Sequence, residues 1–277
     1  MTQKELPADI SSTVRRALSE DIGTGDITAE LLPDNQNVTA YVVSREQAII
    51  CGTAWFDGVY HQLDKQILIT WDVKDGEQIK PDQQVCTITG SAKTILTGER
   101  TALNFLQLLS STATITREYA AQLAGTQTEL LDTRKTLPGL RTAQKYAVVC
   151  GGGKNNRMGL YDAVLIKENH IHAAGSITGA IQQLKQLHRN IEVEVESLDE
   201  LQQAINGGAD RILLDNFDNE TMRQAVKINN GKATLEASGG ITIETIKGIS
   251  ETGIDYISVG ALTKDIRAID FSLLINK

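Results

Sequence analysis

The sequence predicts an α/β protein in two parts, a small amino-terminal α/β layer with an open sheet and then an open (incomplete) α/β barrel. Three observations predict it. From about residue 129 onward, short β-rich segments alternate with helical patterns, and strands alternating with helices imply βα units and a parallel sheet. Six such units occur without a dinucleotide-binding glycine fingerprint, which favours a barrel. The first part of the chain lacks this rhythm altogether.

The amino-terminal elements come first. "SSTVRRALSED" (11–21) reads as a short amphipathic helix, and "VTAYVVS" (38–44), "QAIICG" (47–52) and "QILITWDV" (66–73) read as strands. "DGEQIKPDQQVCTITG" (75–90) reads as a turn-rich strand pair. "TILTGERTALNFLQLLSSTATITREYAAQL" (94–123) is strongly helical, with Leu96, Leu103, Leu106 and Leu109 as its apolar stripe. Ser110-Ser111 is expected to break it into two helices and mark the hinge between domains. Residues 1–110 are therefore assigned to the amino-terminal domain and 111–268 to the barrel, with the tail 269–277 expected to pack with the first domain.

The barrel strands are "TELLDTR" (128–134), "DAVLIKEN" (162–169), "IEVEVES" (191–197), "RILLDNF" (211–217), "ATLEASGG" (233–240) and "DYISVGAL" (255–262). Helical patterns cover "SITGAIQQLKQLH" (176–188), "LDELQQAINGG" (198–208), "NETMRQAVKIN" (219–229) and "TIETIKGISETG" (242–253). Ser197 before Leu198-Asp199-Glu200 is a helix N-cap with acids in the first turn. Gly207-Gly208 and Gly253 are carboxyl-terminal stops, and Gly151–Gly153 reads as a helix stop and turn.

Composition narrows the function classes. The chain has 277 residues, 41% of them hydrophobic, and a formal charge of −8, which argues against nucleic acid or an anionic membrane as a general partner. No apolar run approaches the roughly 18 residues a membrane span needs. Cys51, Cys86 and Cys150 form no CxxC or zinc spacing, so a reduced, cytoplasmic setting is expected. From Asp132 to Lys167, however, seven bases face two acids, a net +5 that leaves −13 on the rest. A local positive field in an acidic protein suggests a small, multiply charged anion as ligand.

Barrel active sites lie at the carboxyl ends of the strands. In order, those ends supply Arg134 and Lys135; Lys167, Glu168 and Asn169; Glu194 and Glu196; Asp215 and Asn216; Ser238-Gly239-Gly240; and Gly260-Ala261. The small residues of the last two, ahead of helix starts, suit phosphate binding. Glu196 and Asp215 could bond vicinal hydroxyls or hold a divalent cation. Glu192, Glu194 and Glu196 share one strand face, so some of them point inward, where they need cationic partners. The residues alone suggest a phosphorylated sugar meeting an anionic second substrate.

Read together, "TGERTALNFLQLLSSTATITREYA", "LLDTRKTLPGLRTAQKYAVVCGGGKNNRMGLYDAVLIKENHI", "VEVES", "ILLDNF", "EASGGI" and "SVGALT" closely resemble the quinolinate phosphoribosyltransferase family, and "EDIGTGDIT" is similar to its amino-terminal signature. The resemblance runs almost end to end. It implies an amino-terminal α/β sandwich plus an open α/β barrel, and a homodimer with active sites at the interface, sometimes assembled further. The implied enzyme joins quinolinate to phosphoribosyl pyrophosphate with Mg²⁺, giving nicotinate mononucleotide, pyrophosphate and CO₂ for NAD synthesis.

By motif, the resemblance implies that Arg134 and Arg157 clamp the quinolinate carboxylates, with Arg100 reaching them from the partner subunit. Lys135 and Lys167 would face pyrophosphate and the reacting centre. Glu196 and Asp215 would hold ribose hydroxyls and Mg²⁺, and Ser238, Gly239 and Gly260 the 5′-phosphate. The chain departs from the family at Asn155-Asn156-Arg157, where the family usually reads Asn-His-Arg. Asn156 can donate a hydrogen bond in this substrate-binding position but cannot carry charge. His170 is expected to be structural, and His61 and His188 to lie at the surface. Two rivals remain on the sequence alone: a Schiff-base aldolase using Lys167, and a catalytically altered paralogue that binds a phosphosugar, for which Asn156 is the best support.

Overall fold

The computed structural model describes residues 5–33, 36–187 and 190–276; His188 lies outside them. The chain begins with α1 (Ile10–Ile22), β1 (Asn37–Ser44), β2 (Ala48–Ile49), α2 (Thr53–Leu63), β3 (Leu68–Trp71), β4 (Gln78–Ile79), β5 (Gln84–Ser91) and α3 (Ala92–Gln122). It continues with β6 (Glu129–Leu131), α4 (Arg141–Gly151), β7 (Val164–Ile166), α5 (Glu168–Ala174), α6 (Ile177–Leu184) and β8 (Ile191–Val195). The last part holds α7 (Leu198–Gly207), β9 (Arg211–Asp215), α8 (Asn219–Asn229), β10 (Thr234–Ser238), α9 (Ile246–Ser250), β11 (Tyr256–Ser258), α10 (Ala261–Lys264) and β12 (Phe271–Ile275). The chain divides into two compact units, one of Met1–Arg117, Thr136–Gly152 and Leu262–Lys277, the other of Glu118–Lys135 and Gly153–Ala261.

The first unit carries an antiparallel sheet in the order β12-β1-β5-β3 and a small pair, β2 with β4. β4 and β5 are therefore not the strand pair expected from 75–90; each pairs elsewhere. α2 escaped the sequence reading. It buries Trp55, Phe56, Val59 and Tyr60 on one stripe, and its start is capped from a distance. Asp75 Oδ1 accepts the Gly52 and Thr53 N–H groups at 3.1 and 3.2 Å. Its rings pack edge to face, with Phe56 5.2 Å from both Tyr60 and Trp71, adding roughly 0.5–1.5 kcal/mol per pair beyond their area burial.

α3 is one continuous helix of 31 residues, so Ser110-Ser111 does not break it. The Ser110 hydroxyl is used across the unit instead, accepting from the Cys51 N–H at 3.0 Å and donating to the Cys51 carbonyl at 3.2 Å. A serine engaged in this way no longer competes with the helical backbone. Leu103, Leu106 and Leu109 are buried, whereas Leu96 is exposed and leaves the expected stripe. Among the described residues no helix is long and apolar enough to cross a membrane.

The second unit is a parallel sheet in the order β6-β11-β10-β9-β8-β7. β6 and β7, at its two ends, are not paired with each other, so the barrel is open, as the sequence predicts. Ser197, Asp218 and Ser176 cap α7, α8 and α6, each accepting a backbone N–H three residues on, worth roughly 0.5–2 kcal/mol apiece.

Candidate active site

Every strand of the open barrel sends a side chain into a cavity of about 310 Å³ at its carboxyl end, the size of a small-ligand site. β6 runs on into Thr133, Arg134 and Lys135, and β7 into Lys167. β8 contributes Glu192 and Glu194, β9 Asp215, β10 Glu236 and Ser238, and β11 Ser258. Asn156 and Arg157 enter from the segment after α4.

That segment is held by Asp132, which is completely buried. Lys154 pairs with the strand end through backbone bonds, its N–H to Leu130 and its carbonyl from the Asp132 N–H. The Asp132 carboxylate then reaches further, accepting the Asn155 side-chain amide at 2.7 Å and the Asn156 N–H at 2.8 Å. Arg157 is thereby fixed beside Arg134. Burial, opposed by Glu192 and reinforced by Arg134, lowers the Arg157 pKa from its ordinary value, and a guanidinium stays charged nonetheless. The Arg134 Nε is buried with no hydrogen-bond partner among the described residues. An orphaned cationic donor costs free energy until an anion meets it.

The cavity floor is acidic and buried. Glu192 and Glu236 are 5% and 1% exposed and hydrogen-bonded to each other. Arg211 donates to Glu236 at 3.2 Å and weakly to the Asn156 side-chain oxygen at 3.5 Å, and its guanidinium lies 4.3 Å over the Tyr256 ring. Burial, then the Glu236 charge, pushes the Glu192 carboxyl up to about 8, against the pull of Arg211 and Arg157. At the rim Lys167 is ion-paired with Glu194. Burial and then Glu194 raise Asp215, while Lys167 and Lys135 pull it down.

The glycines have local reasons. Gly239 has φ +97°, and a Cβ there would lie 2.1 Å from the Asn216 side-chain oxygen. A Cβ on Gly260 would press within 2.9 Å of the Lys135 side chain, so this glycine makes room for that lysine. The following helices are shorter than expected. α9 has five residues and α10 four, so a phosphate here would meet glycine backbone more than an extended helix dipole.

Both halves of the chain match family models. Residues 26–110 match the N-terminal domain of quinolinate phosphoribosyl transferase, and 112–274 its C-terminal domain. The chain belongs to the quinolinate phosphoribosyltransferase family. A Bacillus subtilis relative, described as a probable carboxylating nicotinate-nucleotide pyrophosphorylase, is 42% identical over 92% of this chain and 89% of its own length. A chloroplastic carboxylating nicotinate-nucleotide pyrophosphorylase of Arabidopsis thaliana is 38% identical over 97% of this chain and 83% of its own. The solved nicotinate-nucleotide pyrophosphorylase of Francisella tularensis superposes with a TM-score of 0.93 at 49% identity, covering 99% of this chain and 98% of that one. The chain is a phosphoribosyltransferase.

Of the residues that the family resemblance singles out, Arg134, Lys135, Asn156, Arg157, Lys167, Asp215 and Ser238 line the one cavity. Gly239 and Gly260 shape its edge. Glu196 does not line it: β8 ends at Val195, so the in–out alternation stops, and Glu196 is exposed with its N–H on the Glu200 carboxylate. Glu194, two residues earlier, faces the cavity instead. Arg100 lies on α3 in the first unit and is exposed. The sequence reading left Thr133, Glu236 and Ser258 unassigned; Glu236, two residues before Ser238 on one strand face, carried the available signal. His61 is exposed, and His170 accepts the Lys167 N–H at 3.0 Å, a local structural bond. Among the described residues, the trio close enough to share an ion is Cys51, Asp75 and Cys150, within 4.8 Å of one another in the first unit.

Proposed function

We propose that this chain transfers the phosphoribosyl group of phosphoribosyl pyrophosphate to quinolinate and releases CO₂, giving pyrophosphate and nicotinate mononucleotide for NAD synthesis. The observation that carries this reading is the pairing of Arg134 and Arg157 in a cavity that Lys135, Lys167, Asp215 and Ser238 also line. Two guanidiniums suit two carboxylates of one planar ring, with bidentate contacts. The lysines suit the diphosphate, Asp215 and Glu194 the ribose hydroxyls, and the Ser238–Gly240 and Gly260 backbone the 5′-phosphate.

Holding the ring nitrogen in line with C1′ lets it displace pyrophosphate through an oxocarbenium-like centre, which the Asp215 and Glu194 charges stabilise. Lys135 and Lys167 take up the charge of the leaving group. The nitrogen becomes cationic and stabilises the electron pair left on the neighbouring carbon when its carboxylate departs as CO₂. Mg²⁺ fits the donor set: Asp215 offers hard carboxylate oxygen, and this ion is usually held by one or two carboxylates together with substrate phosphates. When bound, it supplies charge neutralisation on the diphosphate. Glu196, outside the lining, is given no ligand role.

Arg100, exposed on α3, is assigned to the site of a partner copy in a homodimer. The aldolase reading fares worse, since a Schiff-base lysine is activated by desolvation or by a neighbouring cation whereas the Lys167 side chain is 49% exposed and ion-paired with a carboxylate. The test is turnover with phosphoribosyl pyrophosphate, Mg²⁺ and carboxyl-labelled quinolinate, with nicotinate as control. Equimolar CO₂ and nicotinate mononucleotide from quinolinate alone are expected. Substrate binding without turnover would instead establish the altered-paralogue reading.

A further inference from the structure

The reaction leaves one proton unaccounted for. Loss of CO₂ leaves an electron pair on the ring carbon next to the cationic nitrogen, and that carbon must gain a proton to become product. Among the groups beside Arg134 and Arg157, guanidiniums do not release protons. Lys135 and Lys167 are engaged elsewhere in the cavity, both drawing down the Asp215 pKa and Lys167 ion-paired with Glu194.

Glu192 meets the requirement by position. It lines the same cavity as the two arginines, and its Oε1 is buried with no hydrogen-bond partner among the described residues. Its other contact is Glu236, itself held by Arg211. Two buried carboxyl groups in contact do not both ionise, so one proton resides on the pair, and Glu236 is the member that Arg211 holds. Glu192 also lines a second cavity of about 650 Å³, together with Asn156, Arg157, Arg211 and Asp210. Glu192, Asn156 and Arg157 thus line both the substrate cavity and a second space large enough for water.

We propose that Glu192 is the catalytic acid that protonates the ring carbon vacated by CO₂. The step rests on the quinolinate reading above. The bond from the ring carbon to its carboxylate breaks and the pair stays on that carbon. The Glu192 O–H bond then breaks, a C–H bond forms, and Glu192 is left as a carboxylate between Arg157 and Arg211. Water in the second cavity returns the proton, and no oxidant or reductant is involved. The charges acting on Glu192 are Glu236 from β10, Arg211 from β9 and Arg157 from the segment after α4; Arg134, Lys135, Lys167, Glu194 and Asp215 line the same cavity, and Asp162 and Asp210 the second one.

The test is rapid-quench single turnover of Glu192→Gln against the natural chain, following pyrophosphate and nicotinate mononucleotide separately. Expected is pyrophosphate release within about threefold of normal and nicotinate mononucleotide formation slowed by roughly 10²-fold or more, with the still-carboxylated mononucleotide accumulating. The natural chain should lose the second stage as pH rises through about 8, and the glutamine variant should lack that limb. Should Glu192→Gln fail to fold, Glu236→Gln serves, since removing the neighbouring charge should move the limb to lower pH. Normal product formation in Glu192→Gln overturns the proposal, as does equal slowing of both stages, which would make Glu192 a positioning residue. An unmoved limb in Glu236→Gln also overturns it. Failure of the natural chain to make either product would instead bring down the quinolinate reading beneath it.

Discussion

Asp132→Asn should separate the cavity's scaffold from its chemistry. The Asp132 carboxylate is buried, and the donors it accepts from include the Asn155 amide and the Asn156 N–H, at 2.7 and 2.8 Å. Asparagine keeps one acceptor oxygen and turns an NH₂ toward the other donor. One charge-assisted bond is lost outright, at roughly 1.5–3 kcal/mol, and the remaining bond becomes neutral. The backbone pairing of Lys154 with Leu130 and Asp132 does not involve the side chain, so the fold should persist. Urea unfolding should show a loss of about 2–3 kcal/mol. The segment carrying Arg157 would then spend most of its time out of place, and the apparent quinolinate affinity falls by that fraction, about thirtyfold to a hundredfold. Affinity for phosphoribosyl pyrophosphate should change much less. A variant with normal stability and normal quinolinate affinity would refute this role for Asp132.

Arg134→Ala should weaken quinolinate far more than phosphoribosyl pyrophosphate in equilibrium titration, by roughly ten- to a hundredfold; equal losses would remove its assignment to the carboxylates. Mixing inactive Arg100→Ala and Arg134→Ala copies should restore activity to about one site in four if Arg100 serves its partner's site, whereas no restoration places it elsewhere. Gly239→Ala, at φ +97° and against Asn216, should cost roughly 1–3 kcal/mol and raise the KM for the phosphoribosyl donor before that for quinolinate; unchanged constants would free the loop from that role. Glu192 titrates at 4.5 when unperturbed and is pushed up to about 8 in the fold. Between those values the folded chain holds a proton that the unfolded chain has released, so stability falls as pH rises through the window. Glu192→Gln should flatten that slope in unfolding experiments, and an unchanged slope would mean Glu192 carries no such proton.

The barrel was legible because its signals are local. Each strand is a short β-rich segment, and Ser197 announces the helix beside it. α2 was not legible, because its cap comes from Asp75, which no short window connects to Thr53. The misread break in α3 has the same origin: Ser110 looks like a breaker until Cys51 is seen to occupy its hydroxyl. In the site, residues at strand ends were readable by type, but the strand limit at Val195 was not, and it decides that Glu194 rather than Glu196 faces the cavity. The Glu192–Glu236 contact joins β8 to β10 across β9, which only the folded sheet order brings together.

A crystal structure with quinolinate bound tests the central claim most directly. The account predicts the ring in the cavity at the carboxyl ends of the barrel strands, its two carboxylates on Arg134 and Arg157, and Glu192 against the carbon that loses CO₂. Quinolinate seated away from both arginines would contradict it.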